Sequence, residues 1–523
     1  MKKRHVVFEE DLAQKLKKGV DTLANAVKTT MGPKGKLVLI QREHNHPTIT
    51  KDGVTVARSI ELSDELENMA VKVLKEAASR TSDDAGDGTT TSTVLAQAIF
   101  NEGLRMKSAG YQVDLLKSGI EKAVKIVIKD LSKNCKKVED DSELKQVALI
   151  SANGEEEITN LIVDAIKATG VDGSVIVEEA RGFDSSLTIV DGYRLERGFL
   201  SPYFVSNKEK MNCEFNNPLI LMADRSLNSI RDLMPIVIIA NDIDGEAMQG
   251  LVLNKTKGSL RVCAIKSPGF GASRHDLMLD LHAVVGGTIV DSTSDFSKFT
   301  MDDFGTAKKI IVGRSSTMII ANSKDNDQIH NRIVSIKERQ QEPSVEFNER
   351  ELLTYRLQQL SGGIAILRVG AATESELIER YDRVDDALHA TRAALEEGIL
   401  PGGGIALVRS QKVLLEHIKK EENDDIKSGM MIVARSIVEP FKQIIRNGKN
   451  SPDSLLKEVQ NKKSNIGYDA RTEKFGNMFK IGILDPYKVV RCALENAASA
   501  AIMLLSVGCC LIDVENETSL QDN

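Results

Sequence analysis

Residues 83 to 93, DDAGDGTTTST, carry side chains that could hold an anion, and they run into the apolar stretch Val94 to Phe100. Gly86 and Gly88 let a backbone approach a ligand closely, and Thr89, Thr90 and Thr91 add hydroxyl donors. The amides that open the predicted helix supply donors and a positive dipole end. Asp87 fits among such groups where a hard cation such as Mg2+ bridges carboxylate and phosphate oxygens. The same residues also suit a plain N-cap, and the pattern is not the Walker sequence GxxxxGK[ST]. A second segment, TTMGPKG at 29 to 35, ends a predicted helix in a Gly/Pro turn and reads either as a turn or as a phosphate loop. In the third, TITKDG at 48 to 53, a predicted strand delivers Lys51 and Asp52 to a Gly-terminated turn. A Lys can neutralise a terminal phosphate and an Asp can orient or deprotonate a water, the division of labour of phosphoryl transfer. A solvated hairpin would use the same residues.

Helices at the two ends of the chain must position these segments. Leu12 to Thr29 and Val113 to Leu131 repeat apolar residues at three and four, the period of a helix burying one face; the first stops at Gly32-Pro33. Val489 to Leu505 is Ala-rich and apolar nearly all round, which implies burial in a core or at a subunit interface. Between the ends, β-branched runs at 174 to 178, 236 to 240, 262 to 265 and 310 to 312 alternate with helical segments at 246 to 254 and 276 to 285. That grammar predicts a buried parallel or mixed sheet. The charged stretch 333 to 356 has helical spacing and reads as mostly a solvated face. Gly-rich turns at 362 to 363 and 370 to 372 then lead into a helix over 375 to 397, and Gly402 to Gly404 open a C-terminal helical block. The simplest arrangement is an α/β unit inserted into a helical one.

Composition removes several classes of function. Lys and Arg number 69 against 76 Asp and Glu, a net charge of −7, so no basic excess exists for a nucleic-acid partner. No apolar run spans a bilayer, which argues against a membrane protein. The N-terminus MKKRHVVFEEDLAQKL places Glu9, Glu10 and Asp11 where a signal peptide needs an apolar stretch. Six Cys without CxxC spacing point to a reducing cytoplasm, with Cys509 and Cys510 expected as buried packing residues. His44 and His46, in a predicted hairpin, form no catalytic or metal constellation. A length of 523 residues suggests about three or four domains.

In order and spacing, the three polar segments match the equatorial nucleotide site of the group I chaperonins, the GroEL type. The chain resembles that family over essentially its whole length, through TITKDGVTVA at 48 to 57, AGDGTTT at 85 to 91, GFLSPYF at 198 to 204, DALHATRAA at 386 to 394, GGG at 402 to 404 and GILDP at 482 to 486. The resemblance implies a multidomain α and α/β fold. Both chain ends, 1–133 and 398–523, would form a helical equatorial ATP-binding domain; 134–190 and 365–397 a small hinge domain; and 191–364 an α/β apical substrate-binding domain. It further implies an ATP hydrolase coupled to protein folding, with ATP, Mg2+ and K+ as cofactors. Asp87 would be the Mg2+ ligand, and Thr30, Met31, Gly32, Pro33, Gly88, Thr89, Thr90 and Thr91 would surround the phosphates. Lys51 would lie near the terminal phosphate, Gly403 and Asp485 at the ribose, and Asp469 near the base.

Asp52 and Asp386 match the two carboxylates that position the attacking water. Asp386 lies in the middle segment, so a hinge must carry it onto the nucleotide before hydrolysis. Phe199, Tyr203, Phe204, Met234, Met248, Val252 and Leu253 match an apolar rim that binds non-native polypeptides and a GroES-type co-chaperonin; packing of the apical core would also explain them. Arg197 and Glu374 match an ion pair between neighbouring subunits of a homo-oligomeric ring, and Arg105 and Asp424 match a contact between rings.

The chain departs from the family pattern in four places. Pro235 runs directly into the predicted strand 236 to 240 where the family has a helix and a turn, a loss of roughly three helical turns. Asp469 and Arg471 replace small neutral residues near the base. Lys442, Ser451, Asp453 and Ser454 alter the charge pattern between rings, and residues 515 to 523 lack a Gly/Met-rich tail. A conserved catalytic set beside an altered apical domain resembles a divergent second copy of the kind some bacteria keep. The alternative function is a specialised binding or scaffold protein with weak or lost co-chaperonin-dependent folding.

Overall fold

The structure, a computed structural model, describes residues 4–41, 47–152, 154–170, 174–180, 182–190, 192–207, 211–227, 237–269, 272–291, 294, 299–322, 326–342, 347–361 and 363–513. The chain divides into one unit made of residues 1–163, 179–185 and 369–523, and a second made of 164–178 and 186–368. The second is thus inserted into the first.

The first unit is helical because its periodic segments each bury an apolar stripe. Helix Glu9–Val27 closes over Glu65–Ala85, Val113–Asn134 packs on Asp424–Ser436, and Tyr487–Leu505 packs on both Thr89–Ser108 and Glu65–Ala85. Leu23, Leu74, Leu95, Ile99, Phe100, Ile120 and Leu494 are fully buried in the shared core. The expectation for 489 to 505 holds in its first form: that helix is buried in a core of its own chain. Short antiparallel pairs tie distant segments together, Ile399–Pro401 to Leu484–Pro486 and Arg4–Phe8 to Cys509–Asp513, while Ile466–Asp469 with Lys474–Asn477 and Val38–Ile40 with Thr48–Thr50 pair locally. Cys509 is exposed on that last strand and Cys510 is half-buried, so neither is the buried packing residue expected; a two-stranded ribbon leaves one face of each strand open to solvent. His44 and His46 lie outside the described residues.

In the second unit, Cys263–Lys266, Val237–Ile243, Leu219–Leu227 and Ile289–Val290 lie side by side and parallel, with Gly305–Thr306 antiparallel to Leu219–Leu227. Two of the four β-branched runs enter this mixed, buried sheet, whereas Lys309–Val312 lies in an antiparallel sheet and Ser174–Glu179 in a three-stranded sheet with Ile364–Val369 and Ser186–Val190, so the expected single sheet is divided among three. A four-stranded antiparallel sheet, ordered Gly192–Leu195, Thr317–Ile320, Lys309–Val312, Cys213–Asn216, adds its face to the same core. Residues 228 to 236 alone separate the parallel strands Leu219–Leu227 and Val237–Ile243, fewer than the dozen or more that a parallel crossover normally takes. The charged stretch 333 to 356 enters two helices, Asn326–Gln341 and Phe347–Ser361, and its described residues are mostly exposed or half-buried, as expected, with a few turned inward. Ile336, Leu353 and Leu360 are in the core, and buried Arg356 binds the fully buried Asp280 through Nε at 2.6 Å and a second nitrogen at 2.9 Å. Arg332 Nε donates to the same carboxylate at 2.7 Å, which compensates the buried charge.

Candidate active site

Helix Thr89–Ser108 begins at the floor of a cleft of about 580 Å³ in the first unit. No side chain caps it: Gly88, at φ +90°, occupies the N-cap, so the first-turn amides stay available to a ligand. Glycine is required there, because the φ is left-handed and an added Cβ would lie 2.8 Å from Val489 Cγ1. The Thr89 hydroxyl is buried and has no hydrogen-bond partner, an orphan polar atom at an anion-ready helix end.

The other two polar segments arrive at the same cleft. Thr48–Thr50 is a strand, as expected, but Gly53 starts the helix Gly53–Ser59 rather than a hairpin turn. Asp52 is its N-cap, accepting from the amides of Val54 at 2.9 Å and Thr55 at 2.6 Å. An added Cβ on Gly53 would lie 2.2 Å from the Thr90 hydroxyl, so this turn rests directly on the start of the Thr89 helix. The loop Thr30, Met31, Gly32, Pro33 lines the cleft too. The Thr30 hydroxyl donates to the Val27 carbonyl at 2.9 Å, and Asn447 Nδ2 holds the loop by donating to the carbonyls of Lys28 and Met31 at 2.9 and 2.8 Å. Asn447 carries no motif, and sequence reading missed it.

Asp386 stands on the helix Glu374–Glu397, which packs against Asp141–Ser151 and Tyr487–Leu505 and in this conformation already presents Asp386 to the cleft. Glu379, Asp382 and Arg383 line the cleft from the same helix. Their spacing of 3, 4 and 7 from Glu379 to Asp386 puts all four on one face, a signal that the sequence held and that went unused. Arg383 pairs with Glu379 and with Glu155 at 2.8 Å. Gly403 and Asp485 come from the paired turn at Gly402 to Gly404 and Leu484–Pro486, where Asp485 accepts from the amides of Gly404 and Gly403. Leu149, Ile150, Tyr468, Ile481 and Ile483 form an apolar wall that no motif announced.

Asp469 lines the cleft and is also engaged locally. Its carboxylate accepts from the Arg471 amide at 2.8 Å and the Thr472 hydroxyl at 2.6 Å, closing the turn of the Ile466–Asp469 and Lys474–Asn477 hairpin. Asp469 thus stands at the cleft, as expected, with its carboxylate also closing the turn. Arg471 lines the cleft and its charge is felt at Lys51.

Electrostatics of the cleft are strained in one sense. Among the described residues that line the cleft, the acidic ones are Asp52, Asp87, Glu379, Asp382, Asp386, Asp469 and Asp485 and the basic ones Lys51, Arg383 and Arg471. Burial, and then the charges of Asp87 and Asp52, push the Asp386 carboxyl well above the usual range. Burial raises Asp87 against the opposing Gly88 amide, with Asp52 adding to the rise, and burial followed by Asp87 pushes Asp485 up to about 6. Burial, then Arg383, lowers Lys51. Among the described residues no group of three His, Cys, Asp or Glu side chains could hold a metal ion by itself. A divalent cation here would need ligand oxygens from a bound phosphate, the usual habit of Mg2+.

All the sequence-selected equatorial positions therefore converge, from segments near residues 30, 52, 88, 386, 403, 469 and 485. The sequence matches the TCP-1/cpn60 chaperonin family over residues 23–234 and 230–514. The chain belongs to the TCP-1/cpn60 chaperonin family. The two matched stretches meet inside the segment 228 to 236 that separates the parallel strands. The chaperonin fold is also that of gp146 from the bacteriophage EL 2 (Pseudomonas aeruginosa), crystallised in the presence of ATP-BeFx. Crystal form II is similar at a TM-score of 0.71 and 24% identity, covering 98% of this chain and 99% of that one. Crystal form I gives a TM-score of 0.64 and 23% identity over the same shares. Among the described residues no helix of this chaperonin is long and apolar enough to cross a membrane.

The apolar positions of the second unit do not share one environment. Tyr203 and Leu253 are 72% and 53% exposed, whereas Phe199, Met248 and Val252 are half-buried against the core. Phe204 is fully buried. This corrects its assignment to an exposed rim: the ring fills the core beneath the short turn Pro202–Phe204. Met234 lies outside the described residues.

Proposed function

We propose that this chaperonin hydrolyses ATP in the cleft and uses the resulting conformational change to capture and release non-native polypeptides on the second unit. The observation that carries the reading is the arrival of Lys51, Asp52, Asp87 and Asp386 at one uncapped helix end with an orphan hydroxyl. The helix amides, Thr89 to Thr91 and Lys51 would hold phosphate oxygens, Gly403 and Asp485 the ribose, and the apolar wall with Tyr468 the base. Mg2+ held by Asp87 and phosphate oxygens would neutralise charge that a carboxylate-rich cleft cannot accept alone. Asp52, fixed by its two backbone hydrogen bonds, orients the attacking water. Asp386, whose proton affinity is raised by burial and by Asp87 and Asp52, takes its proton. A homo-oligomeric ring is supported by the exposed Phe8, Leu39, Ile49 and Leu511 on two small sheets. The compactness of 186–368 supports an apical domain near 191–364; the division of the remainder into equatorial and hinge parts rests on the resemblance alone.

A second reading, a specialised binding or scaffold chaperonin poorly coupled to a co-chaperonin, is favoured by the nine residues between Leu227 and Val237. A groove lacking one wall receives helical or extended segments less well. Steady-state ATP hydrolysis by the purified chain and by Asp386→Ala, each with and without a GroES-type co-chaperonin, separates the two. Loss of hydrolysis in the variant, with the parent rate altered by the co-chaperonin, supports the folding machine. Parent-level hydrolysis by Asp386→Ala would sink the mechanism, and a rate indifferent to the co-chaperonin moves the scaffold reading ahead.

A further inference from the structure

The first unit holds a second cavity, of about 510 Å³ compared with about 580 Å³ for the cleft, and no step proposed above uses it. Its walls come from the helices Thr89–Ser108, Asp424–Ser436 and Glu439–Asn447 and from the turn Lys28–Thr30. Among the described residues that line it, the basic ones are Lys28, Arg435, Lys442 and Arg446 and the acidic ones Glu102 and Glu439. That balance is the reverse of the cleft, where carboxylates outnumber cations.

Three of the four cations have carboxylate partners. Arg435 Nη1 lies 3.1 Å from Glu102, Lys442 Nζ 2.9 Å from Asp453, and Arg446 Nη1 2.8 Å from Glu439. Arg446 is exposed and donates through that one nitrogen, to Glu439 and at 3.5 Å to Gln443 Oε1, which leaves the rest of its planar fork for a ligand. Lys28 has no ion pair among the described residues: its half-buried ammonium donates to Gln97 Oε1 at 3.4 Å. Burial first, and then the charge of Arg446, lower its proton affinity, with Asp21 and Glu439 opposing. A half-buried cation with a neutral partner and a like charge nearby is stabilised by an anion placed against both.

We propose that this cavity binds a small phosphate-bearing anion, held by Lys28 and Arg446 without a divalent cation. The guanidinium offers two parallel donors to phosphate oxygens and the ammonium a point charge to a third. The excess of cations here does what a metal ion must do in the carboxylate-rich cleft. A volume near that of the cleft admits a molecule larger than phosphate alone. The two cavities also share a loop, because Lys28 lines one and Thr30 and Met31 line the other. Gln443 Nε2 donates to Asn447 Oδ1 at 2.8 Å, and Asn447 in turn holds the carbonyls of Lys28 and Met31, so one chain of hydrogen bonds runs from the cavity wall to the cleft loop. Any effect of the anion on ATP hydrolysis rests on the proposed function, whereas its binding does not.

The test is calorimetric titration of the full chain with inorganic tripolyphosphate in EDTA, which removes the metal that the cleft would need. The expected result is saturable binding of one equivalent per chain that weakens as salt is added. Arg446→Ala and Lys28→Gln should each weaken it by about tenfold or more, while Lys51→Met, which alters the cleft, should leave it unchanged. Binding lost in Lys51→Met but kept in Arg446→Ala would place the anion in the cleft and overturn the proposal. Binding at parent strength by all three variants, the mark of diffuse attraction, would overturn it as well, as would no saturable binding at millimolar probe. Should Lys28→Gln fail to fold, replacement of the exposed Arg446 decides.

Discussion

The polar cleft of the first unit and the apolar positions of the inserted unit are built on opposite plans. In the cleft, two decisive groups are tied to the backbone within a few residues of themselves, Asp52 capping its own helix and Gly88 turning the chain into the next one, while Asp485 takes the amides of Gly403 and Gly404 from a distant segment. In the inserted unit, the neighbours Tyr203 and Phe204 differ by the whole range from exposed to buried, because a single turn sends one ring outward and the other into the core. Local geometry protects chemical function against drift elsewhere in the fold. Exposure, by contrast, is a property of the whole unit.

The sharpest way to break this comparison is to remove charge while keeping local geometry. Asp52→Asn retains a good N-cap, so stability should hold while steady-state ATP hydrolysis falls by roughly 10²–10⁴-fold. Equal loss of stability and activity would mean that the carboxylate is only a cap. Next in size is Phe204→Ala, expected to cost about 3–5 kcal/mol in denaturant titration as a buried ring is lost from the core. A cost below about 1 kcal/mol would return Phe204 to the surface. Gly88→Ala should follow, at roughly 1–3 kcal/mol, from a left-handed φ and the approach to Val489, with weakened nucleotide binding measured by calorimetry.

Smaller effects sharpen the contrast through pH. Asp485 is raised from 3.8 to about 6. Between these values the folded state keeps a proton that the unfolded chain has released, so stability falls as pH rises through that window and stays lower above it. Asp485→Asn should flatten the dependence of the melting temperature over pH 4 to 6 and raise it at pH 7 by about a few degrees, measured without nucleotide. An unchanged pH profile would remove Asp485 from the repulsive cluster. Smallest in stability are Tyr203→Ala and Leu253→Ala, expected within about 0.5 kcal/mol of the parent yet weaker in holding an unfolded client in a sedimentation assay. Full client binding by both would shift the capture surface to other residues.

The helical ends, the mixed sheet of the inserted unit and the cleft residues from Thr30 to Asp485 were legible because apolar period and turn chemistry act over a few residues at a time. The 3, 4, 7 stripe from Glu379 to Asp386 was equally local and could have been read. Asn447 and the wall of Leu149, Ile150, Ile481 and Ile483 could not: their roles come only from what the chain brings beside them. Residue types and spacing located the polar segments, and the family resemblance they carry pointed to a chaperonin. Only the tertiary structure decided that Phe204 is buried and that Asn447 holds the Thr30 loop, since burial and contact between distant residues are sums over the folded chain that no window of sequence contains.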